Sequence, residues 1–522
     1  MGDNRLRTYT KKERNMYLCG MFGQNMIYNI ISAGLIGFYL QSVIYIPTLA
    51  IGIITGIARV WDSINDPMMG TFVDRTKSRW GKCRPYLIIF PSIIGLITIL
   101  CFINGNYAQA GSSGKQIAIV AWAGISYILW GMLYTVGDIP LWGITSLMTE
   151  IQEDRSKLLS MARMVAGIGG IGTVISLVPQ MLSGTVRDIC INKGIIDAAD
   201  PNADNLGMKY AFIIVVVIIT VICTILFEFA GVGTKERVQV AEERHTMKEN
   251  FKLMWQCKPF RQILISGILR SPMQLLMLVA ISFVTYYYAN GNFENLFKNG
   301  LDVQALINIV IIAVGVFAGQ FISMGVMPSF IKKYEKKKLY NILSIGGAVP
   351  FGLLFLAYLA FDGDIKSTVP VLIAGVLLFL ASSAMGGINV LQSVMIADCV
   401  DYEEYHHGIR PDGVFFSGQS FITKLSSGIA SVIQGVAYSI IGFSDTNIEK
   451  LNADLAAGAD FSTYNGGKYA MVMFFLIAVP PAIGMLLSAL PTLKYALPDN
   501  DHKKMLAELV ERRSEKETQS AE

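Results

Sequence analysis

Charged side chains stand inside stretches of this chain that are otherwise apolar. The run IPTLAIGIITGIARVWDSINDPMMGTFVDR carries Arg59, Asp62 and Asp66 at spacings of three and four, which puts them on one stripe of a helix. An ionised group in hydrocarbon costs at least ~3 kcal/mol, so such a stripe must face partner groups or a watered cavity. Arg59 can neutralise one aspartate in a structural pair between helices, but the second is then unexplained. Two carboxylates four residues apart repel unless they share a cation or one takes a proton. The chemistry indicated is reversible ion binding, of Na+ by hard oxygen ligands or of H+ by one carboxyl.

A second constellation follows in YTVGDIPLWG, where Thr135, Asp138 and Trp142 share a helical face and Pro140 predicts a local kink. A hydroxyl, a carboxylate and an indole suit a sugar: the ring covers a C–H face, and the carboxylate accepts from hydroxyls. For Trp142 alone, core packing or anchoring at the lipid interface remains an alternative. Positive partners come from Arg163 and from Lys424, which aligns with Ser420 and Ser427 in GQSFITKLSS and is expected to bridge the two halves of the chain. Arg163 can instead snorkel to the interface. Arg270, beside Pro272, reads equally as a gate or an inter-helix pair. Asn25, Asn29 and Ser32 form a neutral polar stripe open to inter-helix hydrogen bonding or solute contact. IADCVDYEEYHHGIRPDG supplies Asp401, Glu403, Glu404 and Arg410, which either pair with a basic loop of the first half to close an inner gate or are simply solvated.

These residues need spans to position them. A hydrophobic fraction of 53% with only 16% charged residues exceeds what a soluble globule of 522 residues buries. Apolar segments of roughly 20 residues, the length that crosses a bilayer, recur along the whole chain. About twelve are expected, starting near Met16, Tyr45, Pro85, Gln116, Leu158, Met208, Gln262, Leu301, Lys338, Ser367, Asp412 and Lys468. On a helix rising ~1.5 Å per residue, Asp62 lies roughly 18 Å from Asp74, and Lys424 lies about as far from Asp412; both are then near mid-membrane.

Lys and Arg collect in alternate connections: the polar tail before Met16, DRTKSRWGKCR, Arg155 and Lys157, Lys235 to Arg261, KKYEKKK and the C-terminal tail. This pattern predicts a multi-pass plasma-membrane protein with both termini in the cytoplasm. It also accounts for the formal net charge of +4 without nucleic acid. The expected organisation is a cytoplasmic tail at 1–15, a six-helix bundle at 16–233, a charged linker at 234–261, a second bundle at 262–492 and a tail at 493–522. The polar outer connections 183–207 and 444–467 are expected to be solvated loops, and HKKMLAELVERRSEKE a short surface helix. Seven cysteines without ligand spacing imply neither a disulfide framework nor a metal site. His245, His406, His407 and His502 are expected in loops. No nucleophile and base pair, metal cluster or phosphate loop appears, so an enzyme is disfavoured and no cofactor beyond a coupling cation is expected.

The run RVWDSINDPMMGTFVDRTKSRWGKCRPYL, from Arg59 to Leu87, resembles the signature of the glycoside-pentoside-hexuronide:cation symporters, a major-facilitator branch. YTVGDIPLWG and ADCVDYEEYHHGIRPDGVFFSGQSFITK look like two further blocks of that family in the expected order. The resemblance implies an all-α membrane protein of the major-facilitator fold, with about 12 transmembrane helices in two six-helix bundles, working by alternating access. It implies that Asp62 and Asp66, with Asn65 and Thr135 nearby and Asp138 beside them, bind the cation. Asp138, Trp142 and Arg163, with Asn25 from the first span, would contact the sugar; Arg59 and Lys424 would balance charge. Asp74 and Arg75, after Gly70, look like the general major-facilitator latch, to which Asp401, Glu404 and Arg410 would contribute. Where the melibiose-type pattern has a Lys-Asp pair in span one, this chain has Gln24 and Asn25, which puts galactoside specificity in question. The expectation is symport of a sugar with Na+ or H+, by a monomer in contact with membrane lipid. Rivals are a lysolipid or amphiphile transporter, which the polar face of span four disfavours, and a sugar sensor without transport.

Overall fold

In the computed structural model the described residues run from 7 to 519, apart from 108, 171, 173–174, 176–177, 201, 239–246, 292–301, 409, 444–446, 448–449, 452–453 and 456. His245 and the middle of the charged linker thus lie outside the described residues. All regular elements among the described residues are helical. Two compact units form: residues 1–252 with 406–418, and residues 253–405 with 419–522. The short segment 406–418 belongs by sequence to the second half of the chain and by packing to the first unit.

In the first unit, α1 (Lys11–Asn29) starts at a capping box, with Thr10 accepting from Glu13 N and Glu13 accepting from Thr10 N. It continues as a π-helical stretch, Ile30–Val43, whose large side chains Tyr39, Leu40 and Val43 are fully buried. Then follow α2 (Thr48–Arg75), α3 (Arg84–Phe102), α4 (Ser113–Leu147), α5 (Gln152–Ile168), α6 (Val178–Asn192) and α7 (Ala203–Gly233). Small residues set the close helix approaches: a Cβ at Gly20 would lie 2.4 Å from that of Ala230. α4 runs unbroken through Pro140.

The second unit holds α8 (Met247–Gln256), which begins within the first unit's residues, then α9 (Lys258–Leu269), a 3-10 turn at Ser271–Gln274, and α10 (Leu275–Tyr287). α11 (Val303–Lys333), α12 (Lys336–Ala360), α13 (Thr368–His407), α14 (Asp412–Ile441), α15 (Lys468–Thr492) and α16 (Asp499–Gln519) complete it, the first turns of α14 lying in the first unit. Among the described residues seven helices are long and apolar enough to cross a bilayer, and the pair α9 and 271–287, bent by 48°, makes an eighth. α2, with five ionised side chains, is not among the seven.

Two loop expectations are corrected, and the expected C-terminal surface helix is present with one buried edge. Much of the outer connection 183–207 is helix, in α6 and the start of α7, and Arg187 pairs with Asp204 across it. The described end of the connection 444–467 is packed rather than merely solvated: Phe461 is fully buried against Tyr286, and Lys366 pairs with Asp460 at 2.7 Å. The C-terminal helix α16 is docked. His502 is 1% exposed, with Nε2 at 3.3 Å from Asp401 and Nδ1 at 3.8 Å from Asp398, and Asp499 lies 3.5 Å from Lys336. His502 is therefore a buried helical residue, and His406 and His407 end α13.

Candidate functional site

Within the first unit α2 and α4 run side by side in matching register. A Cβ at Gly131 would lie 3.4 Å from Asp62 Oδ1, which places this carboxylate against α4 at ordinary contact distance. One turn on, Thr135 Oγ1 lies 3.1 Å from Asp66 Oδ1 and 3.0 Å from the Gly131 carbonyl, to either of which its single proton can be donated. Asp66 is wholly buried and Asp62 half-buried. Asn65 Nδ2 is buried without a hydrogen-bond partner among the described residues. Rotating that amide by 180° would present its carbonyl oxygen at the same point. Four of the five residues expected around a cation, Asp62, Asn65, Asp66 and Thr135, thus stand on two adjoining helices, and the fifth, Asp138, follows one turn along α4.

Asp138 lies one turn beyond Tyr134 and is half-buried. Gln24 on α1 donates to its Oδ1 at 2.8 Å and also to the Tyr134 hydroxyl. Asn25 is turned to its own helix: its Nδ2 donates to Gln24 Oε1 at 2.7 Å and to the Met21 carbonyl at 2.9 Å. Asn25 was expected to meet solute; in the structure it orients Gln24, and Gln24 is the residue that reaches Asp138. Arg163 stacks on Trp142, its guanidinium carbon 4.3 Å from the ring centroid. One face of the indole is therefore covered by the guanidinium. Trp142 itself is 8% exposed. Trp130 stacks on Tyr134 at 4.9 Å and Tyr28 lies 5.4 Å from Tyr134, an aromatic wall that the sequence reading did not single out.

Arg59 is exposed on α2, one turn before Asp62. Lys424, in the second unit, is half-buried on α14 along with Ser420 and Ser427.

A third cluster lies where 406–418 packs. Asp74 accepts from Lys82 Nζ at 2.5 Å and from the backbone N–H groups of Gly413 and Val414, both at 2.8 Å, at the N-terminus of α14. Lys82 also lies 3.2 Å from Asp412 Oδ2 and donates to the Arg410 carbonyl at 3.0 Å. Arg410 lies 3.4 Å from Asp412 and donates to the Ser146 carbonyl at 3.1 Å. Lys82, Arg410 and Asp412 are all at least nine-tenths buried. Burial opposes the charge on Lys82, but Asp74 and Asp412 outweigh it and hold its affinity for the proton above that of an ordinary lysine. Gly70 and Gly413 make the approach possible: a Cβ on either would lie within 2.6 Å of the other's carbonyl oxygen.

Of the expected latch residues, Asp74 and Arg410 are in this cluster. Arg75 stands exposed at the end of α2, and the cation on Asp74 is Lys82. Asp401 and Glu404 are buried in the second unit, where Asp401 faces His502. Glu236, just after α7, accepts from the backbone N–H groups of Lys82, Cys83 and Arg84 at 2.8, 2.8 and 3.0 Å and so fixes the loop that presents Lys82. Gly81 adopts φ +110° there, and a Cβ would strike the Glu236 carboxylate at 2.5 Å.

The helical architecture, the paired carboxylates of α2 and the close contact of Gly70 and Asp74 with residues 413–414 are what a secondary transporter is expected to show. The chain matches the family model described as MFS/sugar transport protein over residues 16–499, and it belongs to that family. This bears out the resemblance to the glycoside-pentoside-hexuronide:cation branch and the major-facilitator fold; the family is one of transporters, not enzymes. The chain is similar to the isoprimeverose transporter of Lactiplantibacillus pentosus, 26% identical over 508 residues covering 96% of this chain and 92% of that protein. It is also similar to the inner membrane symporter YicJ of Escherichia coli, 24% identical over 486 residues, covering 93% and 91%. The fold matches the crystal structure of the E. coli fucose:proton symporter FucP, with a TM-score of 0.57 and 11% identity over 93% of this chain and 98% of that one.

Proposed function

We propose that this protein is a cation-coupled symporter of a sugar or glycoside, working as a multi-pass plasma-membrane protein with both termini in the cytoplasm. The observation that carries the reading is the register of α2 on α4: Asp62 and Asp66 meet Gly131 and Thr135, and Asp138 follows one turn later under Gln24. The coupling cation, Na+ or H+, binds at Asp62 and Asp66, with the Thr135 hydroxyl and the Asn65 amide completing an oxygen cage if it is Na+. The sugar takes Asp138, Gln24 and the Trp142 indole.

Coupling follows from geometry. Cation and sugar sites share α4 within a turn, so filling one orders the helix face used by the other, and each raises the affinity for the other by the same factor. One cation moved inward gains ~2.3 kcal/mol per 100 mV of membrane potential, about a fiftyfold accumulation. The latch at Asp74, Lys82, Arg410 and Asp412 holds 406–418 in the first unit during one part of the cycle and releases it in another. Monomers in lipid suffice for this cycle.

The test is counterflow in proteoliposomes with labelled glycosides at varied Na+ and pH. A sugar signal that rises with Na+ or with acidity is expected, and Asp62→Cys should abolish concentrative uptake. Uptake indifferent to both ions would overturn the coupling.

A further inference from the structure

The connection KKYEKKK at 332–338, between α11 and α12, holds five lysines and one glutamate. One of the lysines is used internally. Lys336 opens α12 and turns into the second unit, where its Nζ bonds the Asp398 carboxylate on α13 and lies 3.5 Å from Asp499 on α16. Its backbone N–H donates to Asp499 as well, at 3.0 Å. With that turn pinned, its neighbours face outward. Lys333 and Lys338 are exposed and Lys337 is half-buried, and none of the three makes an ion pair or hydrogen bond among the described residues. Glu335, also exposed, offsets only one of these charges.

Beside them a groove of about 540 Å³ runs down the outer side of α12, with Lys337, Lys338 and Asn341 at one end and Ile342, Ile345 and Gly346 at the other. Its wall is fixed: Asn341 accepts from Thr492 Oγ1 at 2.7 Å and donates to the Thr492 carbonyl at 3.3 Å, which ties α12 to α15. A Cβ at Gly346 would find no atom within 4 Å, so this glycine is a notch open to the surroundings. The apolar end continues as one stripe, because Ile342, Ile345, Val349, Leu353 and Leu356 recur at spacings of three and four and are all 46–60% exposed. From Lys338 to Leu356 the helix rises ~27 Å at ~1.5 Å per residue, close to the ~30 Å of a bilayer's hydrocarbon core. The stripe therefore faces acyl chains, and the lysines stand at the level of the headgroups. Tyr334, exposed and stacked on Phe330 at 6.2 Å, marks the same level, since amphipathic rings collect at the membrane boundary.

The positive-inside pattern accounts for lysines in this connection but not for a groove that joins them to an apolar notch. A small anion would leave Ile342, Ile345 and Gly346 unused. Going beyond the symport reading and independently of it, we infer that this groove binds an anionic phospholipid of the leaflet that the charge pattern assigns to the cytoplasm. The phosphodiester lies against Lys337 and Lys338, Lys333 adds its charge from the end of α11, and the first methylenes of an acyl chain enter the notch at Gly346. Each lysine near a membrane surface favours an anionic lipid about fivefold, so the three together favour it roughly 100-fold.

The experiment titrates the full chain, in a neutral detergent, with dioleoylphosphatidylglycerol or dioleoylphosphatidylcholine and counts bound lipid by native mass spectrometry. The wild type is expected to hold one phosphatidylglycerol at least tenfold more tightly than phosphatidylcholine. Lys333→Gln, Lys337→Gln and Lys338→Gln together should erase that preference, whereas Lys11→Gln with Lys12→Gln, two exposed lysines of α1, should leave it intact. Gly346→Leu fills the notch without touching a charge and should weaken phosphatidylglycerol at least fivefold. All these side chains are exposed or half-buried, so the core is undisturbed by their replacement. Equal binding of the two lipids, or a preference that survives the triple substitution, would overturn the inference. An equal loss in the α1 pair would reduce the effect to general surface charge, and displacement by inorganic phosphate at the concentration of the lipid would reduce it to a simple anion site; either overturns it. Phosphatidylglycerol binding unchanged by Gly346→Leu does the same.

Discussion

Replacing Asp74 by asparagine should open the latch, and the chain carries its own reporter for the event. Asp74 holds Lys82 at 2.5 Å and caps two N–H groups at the start of α14. Asparagine keeps the shape and one acceptor but removes the charge. Breaking a buried ion pair by deleting one partner costs ~3–5 kcal/mol. Lys82 retains Asp412 at 3.2 Å, so the low end, about 3 kcal/mol, applies. At roughly 1.4 kcal/mol per tenfold, that shifts the docking equilibrium of 406–418 about 150-fold toward release.

Cys83, next to Lys82, is fully buried, and burial, together with the Glu236 carboxylate, pushes its thiol well above the usual range. It is inert to maleimide while docked, since the thiolate is the nucleophile. Site-resolved labelling by peptide mass spectrometry should therefore show Cys83 reacting on the order of 100-fold faster in Asp74→Asn. Cys101 and Cys223, buried in α3 and α7, should stay unreactive and so report an intact fold. Equal Cys83 labelling in the variant and the wild type, with these controls silent, would refute the latch.

Asp66→Asn should leave sugar counterflow measurable but strip it of dependence on Na+ or pH, because Thr135 then faces a neutral amide; unaltered ion dependence would contradict the cation site. Gln24→Ala removes a hydrogen bond to a charged acceptor, worth ~1.5–3 kcal/mol, and should weaken sugar binding at least tenfold in equilibrium binding assays without changing ion dependence. Gly413→Ala drives a Cβ into the Gly70 carbonyl and should accelerate Cys83 labelling as Asp74→Asn does.

Glu13 supplies a pH test. Burial alone would raise its proton affinity, but the Thr10 N–H and the Arg237 guanidinium, at 2.8 Å, overcome this and set it below an ordinary glutamate. A carboxyl depressed on folding contributes stability that is complete above its unfolded pKa and is lost as pH falls through the folded value. The gap in Tm between the wild type and Glu13→Gln should be widest near neutrality and close below about pH 4.

Much of the site was legible because lipid makes intramembrane charge conspicuous. Asp62, Asp66 and Asp138 stand out by type and spacing alone, and their facing elements follow from helical period. What the spacing could not carry was the partner. Asn25 and Gln24 are adjacent in sequence and equally polar, yet only the rotation of α1 against α4 selects Gln24 for Asp138. Arg75 follows Asp74 directly and looked like its cation, but neighbours in sequence point to different helix faces, and Lys82 reaches back across the loop instead. His502, in a charged tail, gave no sign of burial, because its carboxylate partners lie about 100 residues earlier on α13.

Composition and hydropathy by themselves determined that this chain lives in lipid, is helical, and carries ionised groups that must face one another or water, because hydrocarbon penalises every alternative. The folding of 406–418 into the first unit, the turning of Glu236 onto the Lys82 loop, and the pairing of Lys336 with Asp398 and Asp499 were decided only in three dimensions. Each depends on which residues from distant segments arrive within hydrogen-bonding reach, and pairing across hundreds of residues leaves no periodicity in the sequence to read.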